Sequence, residues 1–425
     1  MDLTDPIVWQ GLAATGLGAL IVLGSAWWLY LSPVRTSRAT PLLISSPRLV
    51  AWLVLALGLA ALQFVVGGLW DASQHIKTGL VVGGADFLWP SHIVLYGSFL
   101  LVLVAASTAM TLVALPAWRR GIRDPRLWVR QQPYLALAAL ASAYELLAIP
   151  GDALWHLIFG VDLTAWSPPH LLLAGMMGFV QIGAIGLLRT ARADGGARGW
   201  ADGASLLLLG LALNAFYLVG VLEWELPVER SPLVLARPVW MYPVVSAGLA
   251  FAVLVLARVL VGGRWAATAA ALVFYAVRLV LTLGLASTDN VAPMLPLVPV
   301  LGALLLDRSS RLPMGRLSAA GFSAAAFTVG FDLLALPMLG LRSDLASFSA
   351  ADDVLTVLAT FLMCLVLFPM LADIGQALGA AGESRVFARN GPLGRHLLRS
   401  GPDHVVASAS RVEGVVCAQD SEEPG

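Results

Sequence analysis

The stretch LVAWLVLALGLAALQFVVGGLW, residues 49–70, decides the fold class of this chain, because it contains no charged residue. A hydrocarbon core about 30 Å thick needs roughly 20 apolar residues in a helix to cross it. Lipid offers no hydrogen-bond partners, so a segment in that core must satisfy its own N–H and C=O groups, as a helix does. Residues 49–70 are therefore predicted to form a membrane-spanning helix.

The same pattern recurs along the chain, of which 59% is hydrophobic and only 12% charged, unlike the composition of a soluble domain. The apolar runs lie at about 8–31, 49–70, 92–117, 134–155, 170–188, 204–222, 239–262, 265–286, 291–306, 317–340 and 353–377. They predict an all-α, polytopic transmembrane bundle of about 11 helices, built from repeated hairpins. The ninth run is interrupted by three prolines, at positions 293, 296 and 299. Residues 378–425 are polar and are expected to form a disordered cytoplasmic tail after a bundle over 1–377.

Charged residues divide the loops into two sets. The loops after runs 1, 3, 5, 7 and 9 carry most of the arginines, among them Arg35, Arg119, Arg189 and Arg308. The alternate loops carry acids, among them Asp71, Asp86, Asp152, Asp162, Glu223 and Glu225. By the positive-inside rule, the arginine-rich loops face the cytoplasm. We therefore expect an integral protein of a bacterial plasma membrane, with its N-terminus outside and its C-terminus inside.

One aspartate and two histidines recur in two copies within residues 49–190, which we interpret as a duplicated hairpin unit. The copies are Asp71, His75 and His92, and Asp152, His156 and His170. The aspartates are 81 positions apart, as are the first histidines, and the last histidines are 78 apart. Carboxylate and imidazole are the usual ligands of zinc, copper and non-haem iron. The duplication therefore predicts metal binding at the extracytoplasmic surface.

Helical spacing supports that prediction, because an aspartate and a histidine four residues apart share one face of a helix. Asp86 and Asp162 are predicted to accept hydrogen bonds from the imidazole N–H groups of the ligands. The sequence leaves open whether the triads bind two ions or converge on one. It also leaves open a structural role, in which the histidines cap helices and bond the backbone. Haem, with His92 and His170 as axial ligands, is a weaker alternative because acids lie nearby.

Charged residues lie well away from both ends of three of the apolar runs: Glu145, Arg278 and Asp332. An unpaired charge at the centre of a membrane helix costs roughly 2.5–3.5 kcal/mol on the insertion scale. We expect a buried ion pair between Arg278 and either Glu145 or Asp332. The alternative is a proton or ion path, in which Glu145 relays protons toward the site two turns away.

The segment Asp86-Phe-Leu-Trp-Pro-Ser-His92 resembles the Asp-x-x-Phe-Thr-Pro-Ser-His segment of the C subunit of copper membrane monooxygenases, the particulate methane and ammonia monooxygenases. In that family an Asp-x3-His precedes the last histidine, and the three residues form a metal site near the membrane surface. The resemblance implies the same role for Asp71 or Asp152, His75 or His156, and His92 or His170. Sixteen and thirteen residues separate the histidines here, a departure from the family's spacing, and the family carries its motif once.

These observations predict a transition-metal protein of the membrane, with copper, zinc or iron as the cofactor. We expect an oxidoreductase or a subunit of one, in contact with the lipid bilayer and with other membrane subunits or an electron donor. The alternatives are a metal transporter or delivery factor, and a non-catalytic membrane scaffold. The arginine-rich loops are explained by topology, so nucleic acid is not expected as a partner.

Overall fold

The computed structural model describes residues 6–32, 47–78, 88–159, 166–192, 198–226, 240–295, 298–309, 316–340 and 350–383. Every regular element in these ranges is a helix, which confirms the all-α prediction. The thirteen α-helices are α1 Pro6–Ala26, α2 Pro47–Thr78, α3 Pro90–Arg119, α4 Pro125–Gln131, α5 Pro133–Phe159, α6 Pro168–Arg192, α7 Arg198–Gly220, α8 Leu222–Glu225, α9 Met241–Val261, α10 Ala266–Ser287, α11 Val298–Ser309, α12 Arg316–Gly340 and α13 Ala350–Glu383. A π-helical turn, Trp27–Leu31, continues α1.

Each of the eleven predicted runs corresponds to one helix, and the short helices α4 and α8 are additional. Within the described ranges, nine helices are long and apolar enough to cross a membrane. These nine are α2, α3, α5, α6, α7, α9, α10, α12 and α13. The chain is therefore an integral membrane protein of helical hairpins.

Proline determines where several of these helices begin. The first residue of α2, α3, α5 and α6 is a proline, at the position where its missing N–H loses no helical hydrogen bond. The prolines of the ninth run left its helical form open. In the structure, α11 begins only at Val298, after Pro293 and Pro296. The last helix continues to Glu383, six residues beyond the predicted boundary. The predicted tail beyond it lies outside the described residues.

Two hairpins form the part of the bundle that positions the histidines. Helix α2 packs on α3 and α5 packs on α6, and the hairpins contact each other through α2 with α6 and through α3 with α5. Glycine allows the close approach within each hairpin. A Cβ on Gly67 would lie 3.0 Å from the backbone N of Leu95, and one on Gly183 would lie 2.8 Å from the carbonyl O of Tyr134.

Contacts between helix ends show that successive long helices run in opposite directions. At one end, Asp307 at the end of α11 contacts Arg258 at the end of α9 and accepts a 2.8 Å hydrogen bond from the Thr268 N–H at the start of α10. At the other end, Lys77 at the end of α2 contacts Asp289, just after α10, at 3.2 Å. We call this second end the histidine end, because both Asp/His motifs lie there.

Candidate metal centre

The first triad comes together where α2 ends and α3 begins. Asp71 and His75 lie one turn apart in the last turns of α2, and His92 is the third residue of α3. His92 Nε2 lies 2.9 Å from Asp71 Oδ1, and His75 Nε2 lies 3.6 Å from Asp71 Oδ2. One ligand atom from each of the three residues falls within 4.8 Å of the other two. The sequence spacing therefore produces a compact set of donor atoms.

The hydroxyl of Ser91, which is not among the predicted ligands, contacts both the Asp71 carboxylate and the side chain of Gln74. The buried Ser91 hydroxyl lies 2.9 Å from Asp71 Oδ1 and 3.2 Å from Gln74 Oε1, and can donate its single proton to either. Their positions in the sequence indicated this contact only weakly: Ser91 directly precedes His92, and Gln74 follows Asp71 by about one helical turn. A hydroxyl that donates to a carboxylate fixes its orientation toward the histidines.

Aromatic rings cover the imidazoles of the first triad. The ring of Trp89 lies 5.1 Å from that of His75 and 6.3 Å from that of His92, between ring centroids. Tyr96, one turn beyond His92, lies 5.8 Å from the His92 ring. The side chains of Asp71 and His92 are 19% and 16% exposed, so the donor atoms lie in a shielded position that still opens to solvent.

The second motif is arranged in the same way but more loosely. Helix α5 continues through Asp152 and His156, and His170 is the third residue of α6, as His92 is of α3. His170 Nε2 lies 3.5 Å from Asp152 Oδ1. The structure thus brings Asp152 and His170 together. The side chain of His156, together with Asp86 and Asp162 and their predicted hydrogen bonds, lies outside the described residues.

The donor set of the first triad fits a transition metal. Zinc, copper and iron bind imidazole nitrogen and carboxylate oxygen at about 2.0–2.2 Å, so two ligand atoms on one ion lie roughly 3.0–3.5 Å apart. The observed separations of 2.9 and 3.6 Å from Asp71 lie on either side of that range. Small side-chain movements would therefore be enough for the three residues to share one ion.

The predicted ion pair of Arg278 with Glu145 or Asp332 is wrong. Arg278 on α10 forms its ion pair with Glu225 on α8, and both side chains are fully buried. Tyr242 hydrogen-bonds the other carboxylate oxygen of Glu225 at 3.5 Å. Hydropathy places Glu225 in a surface loop, but α8 folds back into the bundle, where Trp224 and Leu222 are also buried.

Glu145 and Asp332 lie elsewhere in the bundle, and neither forms an ion pair within the described part of the chain. Glu145 on α5 is fully buried, and Asp332 on α12 is 4% exposed. The carboxylate oxygens of both residues have no hydrogen-bond partner among the described residues. An ion pair with Arg278 therefore does not explain how the bundle accommodates either buried carboxyl group.

Comparisons with protein-family models, with curated proteins and with solved structures find no match to this chain. The likeness of residues 86–92 to the monooxygenase segment accordingly stays a prediction from the sequence. The function of the histidine end is inferred from its own atoms.

Proposed function

We propose that this chain is an integral membrane protein that binds a transition metal ion through Asp71, His75 and His92. The observation that carries the proposal is the convergence of one carboxylate oxygen and two imidazole nitrogens, from two helices, within 4.8 Å. The ring of Trp89 and the Ser91 hydroxyl support it, because metal-binding side chains are commonly oriented by their neighbours.

The donor chemistry suggests copper, zinc or iron, since imidazole and carboxylate suit all three. Three protein ligands leave at least one coordination position open on each of these ions, and open positions are typical of catalytic sites. We therefore favour a metal-dependent oxidoreductase, or a subunit of one that receives electrons from a partner protein. A bound ion of this kind would activate a small molecule. Asp71 and the two histidines would hold the metal ion, and the surrounding aromatic rings would limit the access of water to it.

The second hairpin supports a second site of the same kind. Asp152 and His170 occupy the helix positions of Asp71 and His92, and His156 follows Asp152 by one turn of α5. The contacts of α2 with α6 and of α3 with α5 are those that two hairpins related by a twofold rotation would make. Such an arrangement favours two related sites over a single irregular one.

The position of the first triad favours a fixed site over a transport pathway. Asp71 and His75 lie in the last turns of α2, and His92 lies in the first turn of α3, so the donors occupy one end of the bundle. A transported ion would need further ligands along the length of the helices. A metal transporter is for that reason the second-ranked function.

The test is metal analysis of the purified full-length chain beside its His75→Ala and His92→Ala variants. We expect copper, iron or zinc to co-purify with the wild-type chain and to fall in each variant, because each loses one of three ligands. The matched control is His396→Ala, which removes a histidine that belongs to neither motif. A wild-type chain that stays folded and retains no added metal after dialysis would refute the proposal.

A further inference from the structure

A second polar cluster lies between α12 and α13, away from the histidines. It consists of Thr328 and Asp332 on α12 and of Thr360 and Cys364 on α13, which are 2%, 4%, 0% and 0% exposed. All four lie in segments apolar enough to cross a membrane. Each helix contributes two residues four apart, so each pair lies on one helix face.

The two faces meet in register. Residues 341–349 connect α12 to α13, and the two helices pack on each other, so they run antiparallel. Thr328 and Asp332 both lie near the Cys364 sulfur, although the Thr328 hydroxyl makes no hydrogen bond of normal geometry to it. Four residues advance about 6 Å along a helix. One turn from the Thr328–Cys364 contact toward the histidine end, Asp332 is therefore level with Thr360.

The cluster contains more hydrogen-bonding capacity than it uses. Both carboxylate oxygens of Asp332 and the hydroxyls of Thr328 and Thr360 have no hydrogen-bond partner among the described residues. An ionised carboxylate at such a position carries a large desolvation penalty unless a proton or a cation neutralises it. Arg278 does not neutralise Asp332, because it is paired with Glu225.

Charged neighbours do not supply the neutralising charge either. The titratable side chains described on the helices packed against α12 are Cys364 and Asp373 on α13, Asp307 and Arg308 on α11, and Tyr242 and Arg258 on α9. Arg258 contacts Asp307 at the end of the bundle opposite the histidine end. Ser309 pairs with Ser323 across α11 and α12, so Asp307 and Arg308 lie level with residues about two turns from Asp332.

We propose that Asp332, with the hydroxyls of Thr328 and Thr360, binds an exchangeable monovalent cation, either Na⁺ or a proton. Carboxylate and hydroxyl oxygens are hard ligands, which favour a hard cation over the soft metals that a thiol selects. The cation would neutralise the buried carboxylate, and the hydroxyls would complete its coordination or hydrogen bonding. This site is distinct from the histidine end and does not depend on its occupancy.

The sodium arm of the test measures binding of ²²Na⁺ to the purified full-length chain by equilibrium dialysis in a potassium background. We expect one saturable site that is lost in Asp332→Asn. Thr360→Val keeps the shape of the side chain and removes one oxygen, so it should weaken binding about tenfold, as the loss of one contact to a charged group does. The control is Glu145→Gln, which neutralises another buried acid and should bind Na⁺ as the wild-type chain does.

The proton arm uses infrared difference spectroscopy of the same protein as the pH is changed. We expect a carboxyl band that titrates, that is absent in Asp332→Asn and that shifts in Thr360→Val. Either the sodium site or this titrating band supports the proposal and identifies the cation. If Asp332→Asn does not fold, the wild-type and Thr360→Val measurements decide.

Two results would overturn the inference. One is Na⁺ binding that Asp332→Asn leaves unchanged in a chain whose carboxyl band does not titrate, which would place the ion elsewhere. The other is the absence of Na⁺ binding together with a carboxyl band that stays constant wherever the chain remains folded. Asp332 would then be a permanently neutral structural residue.

Discussion

The first and second hairpins carry the same donor residues at the same helix positions, yet they hold them differently. In the first hairpin, His92 Nε2 approaches Asp71 to 2.9 Å, whereas in the second His170 Nε2 stays 3.5 Å from Asp152. The residue before the histidine differs. In the first hairpin the Ser91 hydroxyl lies 2.9 Å from Asp71 Oδ1 and can donate to it, whereas the corresponding Pro169 has no side-chain donor. A shared ligand set therefore does not give equal sites, because the neighbours determine how firmly the carboxylate is held.

The aromatic residues near the two helix starts differ as well. Trp89 lies on the rings of His75 and His92. Trp166, near the start of α6, instead donates its indole N–H to the carbonyl O of Gly220 at 3.1 Å and packs edge-on against Trp224. The first hairpin uses its tryptophan to cover the site, and the second uses its tryptophan to attach the hairpin to α7 and α8.

The largest effect is expected from removal of the two carboxylates. Asp71→Ala should weaken metal binding by about 100-fold or more, since the loss of a neighbour that merely orients a ligand already costs about 10–100-fold. Asp152→Ala should cost less, because its histidine is held less closely. Competition with a chelator, monitored by metal analysis, measures both. An equal or larger loss in Asp152→Ala would reverse the comparison between the hairpins.

A smaller effect is expected from the residues that precede the histidines. Ser91→Ala should weaken the first site about tenfold, at the lower limit for a residue that orients a ligand. Pro169→Ser should strengthen the second site, because the new hydroxyl can donate to Asp152. The same chelator competition tests both variants. Unchanged affinity in both would show that the difference between the hairpins has another cause.

The smallest effect is expected from Trp166→Phe. The variant keeps an aromatic ring and loses one hydrogen bond, which is worth about 0.5–1.5 kcal/mol of stability. Thermal unfolding in detergent should show this loss, whereas the metal content should stay that of the wild-type chain. Loss of metal without loss of stability would contradict the assignment of Trp166 to attachment and would give it the covering role of Trp89.

The fold was largely predictable because each long helix corresponds to one continuous apolar run in the sequence. Proline positions were informative as well, since α11 begins at Val298, only after Pro293 and Pro296. Hydropathy could not predict that α8 turns back into the bundle. A short segment with two acids resembles a loop until its tertiary contacts are known, and Arg278 was for that reason given the wrong partner.

The site was predictable in its ligands and not in their environment. The spacing of four residues identifies Asp71 and His75 as candidate ligands, and the recurrence of the motif in the second hairpin strengthens that prediction. Ser91 and Gln74 are ordinary polar residues whose contribution depends on how α2 and α3 cross, which no spacing rule encodes. The same holds for Thr328 and Thr360, whose relation to Asp332 follows from the packing of α12 against α13.

Glu225 has a double role with a mechanical consequence. Its carboxylate is held by Arg278, and its backbone carbonyl accepts a 2.6 Å hydrogen bond from the N–H of Met294, in the connection that precedes α11. The Arg278 guanidinium thereby anchors two chain segments, α8 and the connection before α11. At membrane depth, such non-spanning backbone must be surrounded by protein or water. Release of this single anchor would therefore free both segments together.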